Sequence, residues 1–171
     1  IAQVLVNISG WEATPLIGLC EVENERCLHD LCVRLKRFHY KYVHYDSPDE
    51  RGIDVALLYD STQVKVLNSK PLHVDLQGDN TRDILYTSVL IHGHDTLHTM
   101  VCHLPSVLGG ETATEWKRYV SKQLIQQQID SILNLQPNAK IVVMGDMNCE
   151  PKNDLRGLNN MMIKQSGNEQ G

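Results

Sequence analysis

IVVMGDMNCEP, residues Ile141–Pro151, opens on five residues of almost no polarity, then delivers an aspartate and, one position on, an asparagine. A short apolar run bounded by polar and turn residues reads as a buried strand. If the chain stays extended past that strand, Asp146 and Asn148 project to one side, because side chains alternate with a period of two. An Asp/Asn turn closing a core strand leaves the same pattern. Other strand ends must supply matching groups before the pair reads as chemistry.

Outward from this stretch the periodicity gives a mixed pattern. Upstream lie the loop SVLGGE and a long helix from about Thr114 to Leu135. Before them VKVLN, LHVDL, DILYTSVLI and TLHTMVCHL read as short strands, closely spaced and so antiparallel neighbours joined by tight turns. PLIGLCEVE and IDVALLYD are further strands, YKYVHY alternates, and SPDERG breaks. IAQVLVNIS has helical spacing, and NERCLHDLCVRLKRF is an amphipathic helix with Leu28, Leu31, Cys32 and Leu35 on one face. After Pro151 the sequence turns polar. Strands mixed with two or three helices predict an α+β layered fold, sheets packed together with helices outside.

Composition sets the bounds. A chain of 171 residues, 42% hydrophobic and 22% charged, has the make-up of one globular domain with a substantial core. The net charge of −5 offers no global basic field for nucleic acid or an anionic membrane. Five cysteines with no CxxC spacing predict reduced thiols rather than disulfides or a zinc site. No run is apolar enough to span a bilayer and no signal peptide is visible. Because the chain opens on Ile1, the expectation is a processed or partial chain, soluble, from a cytoplasm or exported after loss of a leader.

Several strand ends carry polar groups. GLCEVEN places Glu21 and Glu23 on one side of a strand by its period. SPDERGID is dense in charge, with Arg51 and Asp54 flanking Gly52; NTRDIL sets Arg82 before a strand; CHLPSVLGGE ends a strand in His103.

Their order resembles the endonuclease/exonuclease/phosphatase superfamily, whose members include pancreatic-type deoxyribonucleases, abasic-site endonucleases, inositol polyphosphate 5-phosphatases and neutral sphingomyelinases. IGLCEVEN matches its Leu-Gln-Glu strand end, HLPS its His strand end and VVMGDMN its Gly-Asp-Phe-Asn segment. IGLCEVENE, RGIDVALLY and TRDIL look most like a bacterial subgroup. The resemblance runs from about residue 1 to 155 and implies an α/β/β/α sandwich of mixed, mostly antiparallel sheets.

On this resemblance Glu21 matches the magnesium ligand; a carboxylate suits a hard cation that keeps several waters, and Mn²⁺ or Ca²⁺ would suit it too. The competing reading is a surface carboxylate at the start of the next helix, where Glu23 and Asn24 are better candidates to cap. Asp146 matches the residue that takes a proton from the attacking water or orients it, and Asn148 the one that holds phosphate or water through its amide. His103 matches the histidine that meets a nonbridging oxygen or the leaving group. The remaining histidines, His92, His94 and His98 among them, read as strand surface. Arg82 either clamps phosphate with its fork of donors or pairs with Asp79 or Asp83. Arg51 is a second candidate phosphate contact, and an acid of its segment, Asp54 for instance, would orient His103.

Two departures stand out. The family's first strand carries an active-site asparagine, and Asn7 lies on the wrong element to replace it. The family also ends in a strand with Ser-Asp-His, and no Asp-His dipeptide occurs in this sequence. The expectation is therefore a partial domain, residues 1–171, lacking the first and the last catalytic strands, nearly inactive alone and prone to self-association through exposed sheet edges. The function implied is a magnesium-dependent phosphoesterase acting on nucleic acid, phospholipid or inositol phosphate, with DNA one candidate partner. The alternative is a non-catalytic domain of the same fold that binds a phosphorylated partner.

Overall fold

The computed structural model describes residues 1–108 and 110–149, so the polar tail after Pro151 lies outside the described residues. In chain order the elements are α1 (Ala2–Ser9), β1 (Leu16–Val22), α2 (Glu25–Arg34), β2 (Tyr40–His44), β3 (Asp54–Asp60), β4 (Val64–Leu72), β5 (Ile84–Ile91), β6 (Asp95–His103), α3 (Glu111–Leu135) and β7 (Lys140–Asp146). The strands form two sheets, ordered β1-β3-β2 and β4-β5-β6-β7. All pairs are antiparallel except β6 with β7. That exception follows from α3, which supplies the long crossover that parallel neighbours need.

Burial explains the layering. Val55 and Leu57 of β3 meet Leu85 of β5 and Val101 of β6 between the sheets. The opposite face of β3, Ala56 and Leu58, packs with Leu28, Leu31 and Leu35 of the α2 region and Leu5 of α1. Behind the second sheet, Tyr86, Met100 and Cys102 lie against Ile125, Ile129 and Ile132 of α3. The result is helices, sheet, sheet, helix. Asn24 starts α2 by accepting a hydrogen bond from the Cys27 amide at 3.1 Å, which is the capping role read from the sequence. Removing the fully buried Leu57 side chain (0% exposed) should cost about 2–5 kcal/mol in a urea titration. Leu67→Ala, at a residue 50% exposed, should change stability by less than about 0.5 kcal/mol.

One expectation about strands is corrected. LHVDL forms no strand: β4 runs on through Pro71 to Leu72, and Val74 and Leu76 fill the core beneath α3 from the connecting loop. Pro71 is tolerated because β4 is the edge of its sheet and pairs only with β5. β4, β5 and β6 are the antiparallel neighbours expected from their close spacing. β3 and β4, separated by Ser61–Gln63, lie in different sheets. Asp60 holds that crossing by accepting from the Thr62 amide and hydroxyl and from the Gln63 amide group.

One histidine expectation is also corrected. His98 is buried (7% exposed), and its Nδ1 lies 2.8 Å from the Tyr86 hydroxyl. By alternation it shares the face of β6 that carries Met100 and Cys102, the face that packs toward α3.

Candidate active site

β1, β6 and β7 end at the same side of the sandwich, and each delivers a polar residue there. Gly18 lets β1 approach β7, since a Cβ at that position would sit 2.8 Å from the Met144 sulfur. The register of β1 against β3 then shifts between Leu19 and Val22, and Glu21 takes a positive φ of 58°. Bulges of this kind re-aim a side chain beside a site. The period of two therefore does not carry through to Glu23, and the shared face expected for Glu21 and Glu23 is replaced by this bulge. Glu21 is exposed and, among the described residues, makes no side-chain hydrogen bond or ion pair. It does not cap α2; Asn24 does that.

His103, Asp146 and Asn148 lie together at these strand ends. His103 and Asp146 are register partners at the ends of β6 and β7. The His103 Nε2 lies 3.9 Å from the Asp146 Oδ2, a charge contact longer than a hydrogen bond. The other Asp146 oxygen accepts from the Asn148 backbone amide at 2.9 Å. Asn148 has φ 46°, so the segment turns instead of staying extended. The turn and the site are the same feature, which corrects the extended geometry expected from the sequence. The Asn148 side-chain amide donates to the Leu104 carbonyl at 2.8 Å, leaving its own carbonyl oxygen and second N–H as further hydrogen-bonding groups.

Arg82 stands behind this group, not in front of it. Its side chain is 2% exposed. Nε donates to the His103 carbonyl at 3.0 Å, Nη2 to the Leu104 carbonyl at 3.1 Å and Nη1 to Asp49 at 2.9 Å. Neither pairing alternative holds, since Asp79 pairs with Lys117 and Asp83 with His73, and all three nitrogens of the Arg82 fork meet protein oxygens. Arg51 remains at the rim, with its side chain 54% exposed and its Nε 3.3 Å from Asp49. Asp54 does not orient His103. Its oxygens accept from the Ser47 amide and hydroxyl and meet His44 Nε2 at 3.1 Å.

Electrostatics sets the state of the imidazole. Burial, then the charge of Arg82, hold the His103 pKa below its ordinary value; Asp146 and Glu21 push it up, and Arg51 pushes it down. The neutral ring is thus favoured in the fold. A depressed histidine contributes stability that is fully present above the unfolded value, about 6.5, and lost as pH falls through the folded pKa. An NMR titration of His103 should give a midpoint below about 6.5, and Asp146→Asn should lower it further, because an opposing carboxylate is gone. A midpoint above that of the unfolded chain would contradict this balance. All five cysteines are free, and burial pushes the Cys102 thiol up to about 12, which keeps it protonated.

The donor set at Glu21 fits a hard cation held by few protein oxygens and mostly by water: an exposed carboxylate, unpaired among the described residues, whose charge, with that of Asp146, bears on His103. A second grouping was not anticipated from the sequence. His44, Asp46 and Asp54 offer ligand atoms within 4.8 Å of one another, although Asp54 is already engaged by Ser47 and His44. Asp49 was missed as well. Its signal was present in SPDERG, where a Pro-Asp pair opens a turn, and the Asp49 side chain and carbonyl accept from the Arg51 and Gly52 amides.

Comparison with known proteins bears on the fold and the family. The chain matches the sequence profile of the Endonuclease/Exonuclease/phosphatase family over residues 1–169. No curated protein is significantly similar in sequence. Among solved structures it is similar to the human Nocturnin catalytic domain with bound sulfate, at 18% identity and a TM-score of 0.65 over 80% of this chain and 52% of that one. ANGEL2, a 2′,3′-cyclic phosphatase, is 15% identical with a TM-score of 0.69 over 86% of this chain and 43% of its own. D. rerio TDP2 complexed with single strand DNA product is 18% identical with a TM-score of 0.63 over 87% and 54%. These identities speak to fold alone, and the chain spans about half the length of each. With the profile matched along nearly its whole length and the four-layer sandwich in place, the chain belongs to the endonuclease/exonuclease/phosphatase family.

Proposed function

We propose that residues 1–171 carry a large part of the site of a divalent-metal-dependent phosphoesterase, Mg²⁺ being the preferred ion. The reaction is hydrolysis of a phosphodiester or phosphomonoester by in-line attack of water. The observation that supports this best is the joining of His103, Asp146 and Asn148 in one group at the strand ends that also present the unpaired Glu21. Asp146 Oδ2 accepts a proton from the water or orients it. Asn148 holds the phosphate or the water with its amide. The neutral His103 imidazole donates to a phosphoryl or leaving oxygen, where charge grows. Arg51, 54% exposed at the rim and held by Asp49 through Nε, offers its remaining donors to a substrate phosphate. A cation bound at Glu21 would supply Lewis-acid neutralisation of phosphoryl charge.

Nucleic acid, phospholipid and inositol phosphate remain the substrate classes, with the single strand DNA product held by D. rerio TDP2 favouring DNA as the first to test. No helix among the described residues is long and apolar enough to cross a membrane. Among the described strands β7 pairs with β6 alone, so its outer edge is where a further strand of the fold, or a second copy of the chain, would add. The second reading, a phosphate-binding domain without turnover, draws on the lack of an Asp-His dipeptide in these residues. Full-length protein carrying these residues, assayed with Mg²⁺ and with chelator against the three substrate classes, separates the two. Metal-dependent hydrolysis of at least one class is expected, with residues 1–171 alone nearly inactive. Saturable binding of a phosphorylated ligand without turnover would favour the second reading.

A further inference from the structure

Arg82 and Asp49 are a buried ion pair, with side chains 2% and 7% exposed. Such a pair is a poor source of net stability, because desolvation offsets most of its attraction. Its hydrogen bonds are more informative than its charge. Nε and Nη2 of one planar guanidinium reach two successive carbonyls, His103 and Leu104. They hold the two peptides on either side of Leu104, the first of which carries the His103 carbonyl, and so constrain the direction in which His103 leaves the backbone. The Leu104 carbonyl also accepts from the Asn148 side chain, and the Leu104 amide donates to the Asp146 carbonyl at 2.9 Å. Asp49 anchors the other end of the fork and, through its second oxygen, the amide and side chain of Arg51.

We propose that the Asp49–Arg82 pair is the positioning element of the site: it sets His103, Asp146 and Asn148 in mutual register through the two peptides that flank Leu104, without touching substrate. The catalytic consequence rests on the phosphoesterase reading; the positioning itself does not. A lysine keeps the charge but gathers its donors on one nitrogen, so it cannot reproduce the planar fork that spans two carbonyls and Asp49 at once. A displacement of about 1 Å at reacting groups costs on the order of 10²-fold in rate.

The test is Arg82→Lys in the full chain, with Asp49→Asn as the milder partner should the lysine variant fold poorly. For folded molecules, kcat should fall about 10²-fold with KM changed less than about threefold. By NMR, exchange of the Leu104 amide should speed roughly tenfold and the Asn148 side-chain amide signals should move, while β4–β5 amides stay protected. If the unsubstituted protein hydrolyses no phosphoester, the phosphoesterase reading fails, and the exchange and amide signals alone decide the positioning role. Leu104 exchange and Asn148 signals unchanged in the folded variants, or kcat within about threefold of the parent, would overturn it.

Discussion

Asp146→Asn should leave the fold intact and lower phosphoester hydrolysis by the full-length protein about 10³-fold. The substitution is nearly isosteric. Asparagine keeps an oxygen to accept from the Asn148 amide, so the turn that closes β7 survives. It loses the second carboxylate oxygen, the one that faces His103 at 3.9 Å, and with it both the proton acceptor and a negative charge. Because the Asp146 side chain is 56% exposed, its replacement should shift the thermal midpoint little. Steady-state kinetics beside a melting curve checks both halves. A variant that keeps more than roughly a tenth of parent kcat would remove Asp146 from the reaction.

Gly145→Ala should be the most damaging single substitution for folding. Gly145 has φ 133° and lies opposite Cys102 in the parallel β6–β7 ladder. A Cβ there would meet the Cys102 carbonyl oxygen at 1.8 Å and its carbonyl carbon at 2.9 Å, and neither is a side chain that can move aside. The backbone conformation is itself one that alanine adopts only under strain. Strand β7 must retreat from β6, which disrupts the neighbouring His103–Asp146 register pair and so the site. A loss of about 3 kcal/mol or more is expected in chemical denaturation, with activity lost alongside. An unchanged unfolding midpoint would mean that β7 does not sit as described.

Much of the layered fold follows from short-range pattern. Apolar runs such as IDVALLYD and DILYTSVLI are buried on both faces, and the Asn24 cap and the 3.6-residue stripe place α2 without any distant partner. The strand ends were legible for the same reason: polar residues that stop an apolar run must end at a surface. What stayed hidden depends on distant partners. Nothing in LCEV announces the bulge at Glu21, which shows only in the register of β1 against the distant β3. LHVDL alternates like a strand, yet Val74 and Leu76 are buried by α3 from a loop. Arg82 was weighed against the nearby Asp79 and Asp83, while its partner Asp49 is 33 positions away. His98 looked like surface because a histidine's burial is decided by what covers it.

The two candidate cation positions can be told apart in one experiment. Mn²⁺ added in small steps to ¹⁵N-labelled protein broadens the signals of nuclei close to the bound ion. Binding at the site described here should broaden Glu21 first, with Cys20, His103 and Asp146 following, and Mg²⁺ in excess should reverse it. Broadening centred on His44, Asp46 and Asp54, with Glu21 and Asp146 sharp, would place the ion elsewhere and contradict the role given to Glu21.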